Sequence, residues 1–431
     1  MGSFQKVGLV TCTALALANM IGTGVFTSLG FQVAAIPSAF LILLLWVLGG
    51  VIALCGALSY AELAAALPRS GGEYNFLSQI YHPALGFMAG FVSVAVGFSA
   101  PIALAAIALG KYLAAALPGL QAGPVSIAAV LLLAAVHSLT VRASGNFQVL
   151  ITALKIALIV TFILIGVARG GSWTFSPYRG DSGLIFSGPF AVSLMFVLYS
   201  YSGWNAAAYI MGEVRDAQRT VPGALILATI VVMILYVGLN AVFLASGPAG
   251  EFAGKIAVGE IAARNLLGEQ GGRIMAGLIG GGLISAISAM TWAGPRVAQT
   301  VGQDFSALRI LARTSPGGVP RVALAVQTLL VLLMLVTSTF EAVLLYAQFS
   351  ILACSFLTVL GVIILRWRQP ALPRPFRCFG YPVTPVIFLA LNLFAMIYTA
   401  LDRPEQAFAG LATLLLGIGL YFLARRSRIG Q

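Results

Sequence analysis

The apolar positions of this chain run in long unbroken blocks, not in alternation. Stretches such as 38–66 hold few polar residues, and about 20 apolar residues in a row is the length a helix needs to cross a bilayer. A barrel strand would alternate apolar and polar positions over about 10 residues. Since hydrocarbon offers no water to free backbone groups, helices are the spanning structure this pattern allows. Cutting at proline, glycine and charge clusters predicts twelve of them, over 7–31, 38–66, 84–117, 124–142, 146–169, 188–212, 222–246, 272–303, 320–338, 341–366, 383–401 and 405–424. The chain reads as all-α and integral to the membrane, with one embedded domain over 1–431.

Two of these spans are interrupted at mid-membrane. The first carries Asn19, Met20, Ile21, Gly22, Thr23, Gly24, Val25 and Phe26, in which two glycines flank a hydroxyl residue. The sixth carries Leu198, Tyr199, Ser200, Tyr201, Ser202, Gly203, Trp204 and Asn205, again small and polar. Each opens a set of five spans, about 7–169 and about 188–366, with 383–424 peripheral. Interrupted helices at corresponding positions point to a transporter of two inverted repeats with its site at the midplane. At such breaks the freed N–H groups of one half-helix favour a carboxylate, and freed carbonyls attract an ammonium. A zwitterionic amino acid meets both demands. The competing reading is that these glycines only let helices pack closely.

Composition narrows the classes of function. Of the residues, 60% are hydrophobic and 8% charged, against roughly 25% charged in a soluble domain, so no soluble catalytic domain of useful size fits between the spans. The net charge of +12 does not form the single patch or stripe that nucleic acid would require. It follows membrane topology. Lys6, Arg69, Arg142, Arg215, Arg219, Arg296, Arg309, Arg313, Arg321, Arg366, Arg368, Arg374, Arg377, Arg425, Arg426 and Arg428 lie on one side of the predicted spans. Arg169, Arg179, Lys255, Arg264, Arg273 and Arg403 lie on the other. By the positive-inside rule the first set is cytoplasmic, so both termini are expected inside a multi-pass protein of the cell (inner) membrane. Met1 to Lys6 lead straight into an apolar run without an Ala-x-Ala-like cleavage site, so the first span is expected to stay in the mature protein.

Two basic residues fall within spans. Lys111 is close enough to a helix end to snorkel to the interface, whereas Lys155 lies deep in the fifth span, and the acidic residues all lie in loops or near span ends, Glu62 deepest. An intramembrane ionisable residue is a functional candidate by default, and a buried lysine can lose its proton. Its bland alternative is a fixed cation bonded to carbonyls near Ala18 or Ile21 and to Ser285 or Ser288. Cys12, Cys55, Cys354 and Cys378 show neither a disulfide framework nor metal-ligand spacing. His82 and His137 stand apart in the sequence. Neither HExxH nor GxxxxGK[ST] occurs, so no cofactor, metal or built-in ATP machinery is implied.

The runs Ile21–Phe26, Ala57–Leu63 and Pro68–Tyr74 together resemble the opening of amino acid–polyamine–organocation superfamily permeases, most like the prokaryotic relatives of the L-type amino-acid transporters. Gly203 to Asn205 with Glu213, Arg219 to Pro222, Gly294 to Val297 before Asp304, and Leu372 to Arg377 before Gly380 to Pro382 continue the resemblance over nearly the whole chain. It implies a leucine-transporter-type fold, ten core helices plus two, with substrate between helices one and six. Carried over, the unwound segment of helix one matches Ile21, Gly22, Thr23, Gly24 and Val25, whose amides would take the carboxylate. Leu198, Tyr199, Ser200, Ser202 and Gly203 match the break in helix six, whose carbonyls would take the amino group. Tyr199 holds the place of an aromatic gate, or simply packs. Asn205 stands where some relatives place a carboxylate for a basic substrate, so its neutrality points to neutral L-amino acids. Lys155 matches a fifth-helix lysine whose ammonium replaces a sodium ion, which implies sodium independence with proton symport or antiport by exchange. Eukaryotic L-type light chains use a cysteine after helix three to hold a glycoprotein subunit. Pro118 to Pro124 contain none, so no obligatory disulfide-linked subunit is expected. Phe305, after Asp304, replaces the more usual glycine.

Weaker signals are Gly97 and Pro101, which interrupt the third span, Trp292 in the eighth, and Arg69–Tyr81, which reads as a cytoplasmic loop with an interfacial helix or as a plain loop. The leading function is an alternating-access transporter of neutral amino acids. The alternatives are a membrane sensor that binds without transport and a cationic amino-acid or polyamine permease. A membrane-embedded enzyme would need acid–base or metal clusters that this sequence lacks.

Overall fold

In a computed structural model the described residues are 7–139, 145–169, 171–177, 179–316 and 318–426. The predicted basic positions Lys6, Arg142 and Arg428 lie outside them, as do the side chains of Arg425 and Arg426.

The described chain is helical, apart from an isolated pairing of Val7 with Val214. The first predicted span is two helices, α1 (Leu9–Met20) and α2 (Gly24–Ala35). There follow α3 (Ala39–Ala66), the short α4 (Glu73–Ile80), α5 (Pro83–Ala116), α6 (Ala122–Leu139) and α7 (Gly145–Arg169). The sixth span divides into α8 (Gly188–Tyr201) and a 3₁₀ segment (Ala206–Glu213). Then come α9 (Ala217–Ser246), α10 (Val258–Asp304), α11 (Arg321–Thr337), α12 (Phe340–Arg368), α13 (Val383–Asp402) and α14 (Pro404–Arg426). Among the described residues ten helical runs, α1 and α2 taken together, are long and apolar enough to cross a membrane. Helix α11 is apolar but shorter, and the break divides the sixth span.

The helices start where local chemistry dictates. Ser38, Ser187 and Thr339 accept hydrogen bonds from Leu41, Phe190 and Ala342 amides, satisfying donors that the first turn of a helix leaves free. Pro83 opens α5, where its missing N–H costs nothing. Lipid-facing helices such as α6 and α7 expose Leu131, Leu132, Leu154 and Leu164, an apolar surface that only hydrocarbon accommodates. Inside, Trp46 of α3 packs edge-on to Tyr236 of α9, which sits 5.2 Å from the Tyr201 ring of α8.

Three spans depart from the predicted pattern. Helix α2 continues to Ala35, not 31, because Gln32 is held at both ends: Trp46 Nε1 donates to Oε1 at 3.0 Å, and Nε2 donates to the Ser193 carbonyl at 3.3 Å. Gly268, with non-helical φ +79° and ψ 178°, divides α10: a short helix begins at Val258, and the span itself opens after Gly268, near the predicted 272. Glu260 therefore lies in a helix, not in the expected loop. The third span has a π-helical turn, Ser93–Phe98, which contains Gly97 and precedes Pro101, a kind of irregularity that gathers at functional sites.

On the side carrying Arg69, Arg215 and Arg366, the carboxylate of Glu62 is almost fully buried. Arg366 meets it through Nε at 2.8 Å and Nη2 at 2.6 Å, Arg374 Nε lies 3.4 Å away, and the Cys378 amide donates at 2.7 Å. Arg366 also stacks 3.7 Å from the Tyr381 ring centroid. This cluster pins the 369–382 connection to α3 and α12.

Candidate functional site

The two interrupted spans meet at their breaks. Gly24, opening α2, lies against α8 so closely that a Cβ there would sit 2.6 Å from Ser200 Cα. Ser28 and Ser200 join one turn further on, Oγ to Oγ at 3.0 Å. On the other flank Gly203 has φ +97°, and a Cβ on it would be 2.8 Å from the Asn19 carbonyl. Glycine is demanded there by conformation and by space.

Breaking a helix leaves carbonyls without partners, and a buried one costs about 1–3 kcal/mol. The protein answers with long polar side chains from neighbouring spans. Tyr236 of α9 donates to the Met20 carbonyl at 2.6 Å, and Lys155 Nζ of α7 donates to the Ile21 carbonyl at 3.2 Å. Within α2, past the break, Tyr112 of α5 donates to the Phe26 carbonyl at 2.7 Å and accepts from the Gly259 amide, tying α2 to α5 and α10. Lys155 lies beside Gly282 of α10. The hydroxyl of Ser285, one turn on, is buried without a partner among the described residues. Ser288 shares a 2.8 Å hydrogen bond with His137 Nε2. His137 is thus partnered, although it looked solitary in the sequence.

What these supports leave unpaired is specific. Gly24 and Val25 stand in the first turn of α2, where helix geometry provides no acceptor for the amides. Leu198, Ser200 and Tyr201 end α8, where their carbonyls have no helical donor. The Tyr199 carbonyl is taken by Ser202, through its amide at 3.0 Å and its hydroxyl at 2.7 Å. The side chains of Ile21, Val25 and Leu198 are buried in packing, leaving only their backbone to a ligand. The Ser200 hydroxyl donates to the Phe196 carbonyl at 2.8 Å and faces Ser28, so it joins helices. The hydroxyls of Tyr199 and Thr23 lie 3.5 Å apart across the gap, longer than the usual O–H···O distance of about 2.7–2.8 Å. Asn205 lies beyond the break, beside Tyr209, which also reaches Ser93 of α5.

Both approaches to the breaks are closed. On one side Phe31 of α2 is stacked between Phe196 of α8 at 5.0 Å and Phe340 of α12 at 5.6 Å. On the basic side the Gly71 amide donates to the Tyr209 carbonyl at 3.3 Å, the Gly212 amide to Ser70 Oγ at 2.8 Å, and the Val7 amide to the Glu213 carbonyl at 2.9 Å. Arg69–Tyr81, read as a loop with an interfacial helix, does hold α4.

The sequence reading missed two features. The tyrosines that brace the broken first span, Tyr112 and Tyr236, carried one available signal, a phenol hydroxyl inside an apolar helix that must find a partner. The other is Glu73, counted as part of a polar cytoplasmic segment but only 4% exposed. Among the described residues no group of His, Cys, Asp and Glu is arranged to hold a metal ion.

A helical bundle of membrane-spanning length whose first and sixth spans break against each other defines a class, the carriers built on broken helices. The chain belongs to the amino acid permease family, which it matches over residues 7–420. It is similar to the Asc-type amino acid transporter 1 of Mus musculus, with 26% identity over 97% of this chain and 81% of the relative. It is also similar to the large neutral amino acids transporter small subunit 2 of Mus musculus, with 29% identity over 97% and 81%. The human b(0,+)-type amino acid transporter 1 is 25% identical over 99% of this chain and 90% of its own length.

Proposed function

We propose that the protein is a secondary transporter that carries neutral L-amino acids by alternating access, without sodium and either with protons or by exchange. The observation that carries this reading is the pairing of unpaired amides at Gly24 and Val25 with unpaired carbonyls at Leu198, Ser200 and Tyr201. One set suits a carboxylate, the other an ammonium, the two ends of an amino acid. Thr23 adds a hydroxyl to the carboxylate end, Gly22 and Ile21 shape the turn, and Ser202 and Gly203 hold the carbonyl end open. Tyr199 is the gate, moving with the substrate it covers. Asn205, being neutral, leaves a second positive charge unmatched and disfavours cationic substrates.

Lys155 fills the place between α7, the first break and α10 that a cation would otherwise take, and so makes sodium unnecessary. The two sets of five spans, about 7–169 and 188–366, act as inverted repeats that rock about the breaks. The Arg-rich side is cytoplasmic with both termini, in the cell (inner) membrane. The protein works on solutes without chemical conversion and without an obligatory disulfide-linked subunit.

Lys155→Ala tests this directly. Losing a charged hydrogen-bond donor costs about 1.5–3 kcal/mol, so uptake of labelled alanine into proteoliposomes should fall about 10- to 100-fold. Wild-type uptake should be equal in sodium and choline. A Lys155→Ala variant with wild-type uptake, or flux that requires sodium, would overturn the assignment.

A further inference from the structure

The polar side chains between the helix-six break and the basic side of the membrane converge on one carboxyl group. Glu73 is the first residue of α4 and is buried. Its Oε1 accepts from the Tyr60 hydroxyl of α3 and from the Ser355 hydroxyl of α12, the latter at 2.9 Å. No cation forms an ion pair with it among the described residues, while its neighbour Glu62 draws two arginines. The titratable groups that face it are Tyr60 from α3, Tyr209 from the 206–213 segment and Cys354 from α12, none of them cationic. Helix α5, packed alongside, keeps Lys111 at its far end, and His82 at the α4–α5 junction is engaged with the Ala84 amide.

We propose that Glu73 is a proton-binding site of the cytoplasmic gate: it holds a proton while 69–75 is packed against 206–213, and releases it to water as the two separate. The proposal rests on the transporter reading for its purpose, since it ties proton release to opening on the inner side. The geometry links the two events. The Tyr209 ring lies against Gly72, beside Glu73, reaches Asn205 at the break, and its backbone carbonyl receives the Gly71 amide. The gate therefore cannot part at this point without exposing the carboxyl. In the release step the carboxyl O–H bond breaks, its electron pair stays on Glu73, and the proton passes to water.

The sign follows from solvation. In the closed state burial holds the Glu73 carboxyl above its ordinary value of 4.5, and the Tyr60 and Ser355 hydroxyls offset part of that rise. Opening admits water and lets the value fall. The closed gate therefore binds the proton more tightly, closure is favoured at low pH, and opening gains ground as pH climbs above the ordinary carboxylate value. The closed-to-open ratio changes by at most about tenfold per pH unit for one proton.

Hydrogen–deuterium exchange of 69–80 and 206–213 in proteoliposomes, at about pH 5.5 and about pH 7.5 and corrected for intrinsic rates, reads this equilibrium. Wild type should lose protection several-fold at the higher pH. Glu73→Gln, permanently neutral and nearly isosteric, should show equal protection at both, and Glu73→Asp should restore a pH response. If Glu73→Gln does not assemble, Tyr60→Phe removes a donor to the closed-state anion and should deepen the loss of protection at the higher pH. A wild-type-like pH response in Glu73→Gln, or in Tyr60→Phe, overturns the proposal. Amino-acid flux in the same vesicles separates the two readings: flux without a Glu73-dependent response sinks only the proton site, and a response without flux sinks only transport.

Discussion

Gly24→Ala should abolish transport while the protein still assembles. An added Cβ would lie 2.6 Å from Ser200 Cα, and because that neighbour is backbone, α2 and α8 must move apart for the methyl to fit. Overpacking of this kind costs about 1–3 kcal/mol, which a bundle of this size tolerates. The binding geometry does not tolerate it. A displacement of about 1 Å between groups that act together costs on the order of 10²-fold in rate, and the amides of Gly24 and Val25 are half of the proposed binding site. Alanine uptake should fall about 100-fold with only a few degrees lost in thermal unfolding. Gly277→Ala, where a Cβ meets nothing within 4 Å, should keep both. Equal behaviour of the two variants would remove close approach as the reason for glycine at 24.

Glu62→Ala should be the most destabilising single substitution outside the breaks. It takes the acceptor from the Arg366 guanidinium and the Cys378 amide, and the ion-pair partner from Arg374, at once. Arg374 is 8% exposed and Arg366 is 23% exposed in their side chains. Removing one partner of a buried ion pair costs about 3–5 kcal/mol, because the charge left behind has no water to turn to. Arg366 remains partly solvated, so the lower half of that range applies. The structural consequence is release of the 369–382 connection from α3 and α12. A fluorescence-monitored thermal unfolding scan in detergent should show a large fall in midpoint for Glu62→Ala and a smaller one for Glu62→Gln, which keeps one acceptor. An unchanged midpoint in Glu62→Ala would mean that the cluster is not what fixes this face.

Much of this was legible in the sequence, for reasons that are local. The breaks announce themselves because Gly22-Thr23-Gly24 and Ser202-Gly203 are small and polar where apolar residues would be expected, and the structure ends α1 and α8 at Met20 and Tyr201. Lys155 stands out by charge and depth alone. What the sequence hides is pairing at a distance. Glu62 looks like a carboxylate near a helix end until Arg366 and Arg374, some 300 residues away, close on it. Glu73 looks solvated until Tyr60 and Ser355 are folded around it. His137 looks solitary and is bonded to Ser288. The short helix before Gly268 was obscured by Glu260 and Arg264, residues that read as a loop in a chain where spans are recognised by being apolar.

The central claim is that the breaks recognise the two ends of an amino acid through backbone. Uptake of labelled L-alanine into proteoliposomes, with and without internal amino acid, tests it most directly when challenged by three unlabelled competitors: L-leucine, its decarboxylated amine, and its keto analogue lacking the amine. Saturable uptake blocked by leucine alone is the expected result, because each truncated compound leaves one set of backbone groups unanswered. Uptake blocked equally by the amine or the keto acid would contradict backbone recognition, and saturable binding of leucine with no flux under any condition would contradict transport itself.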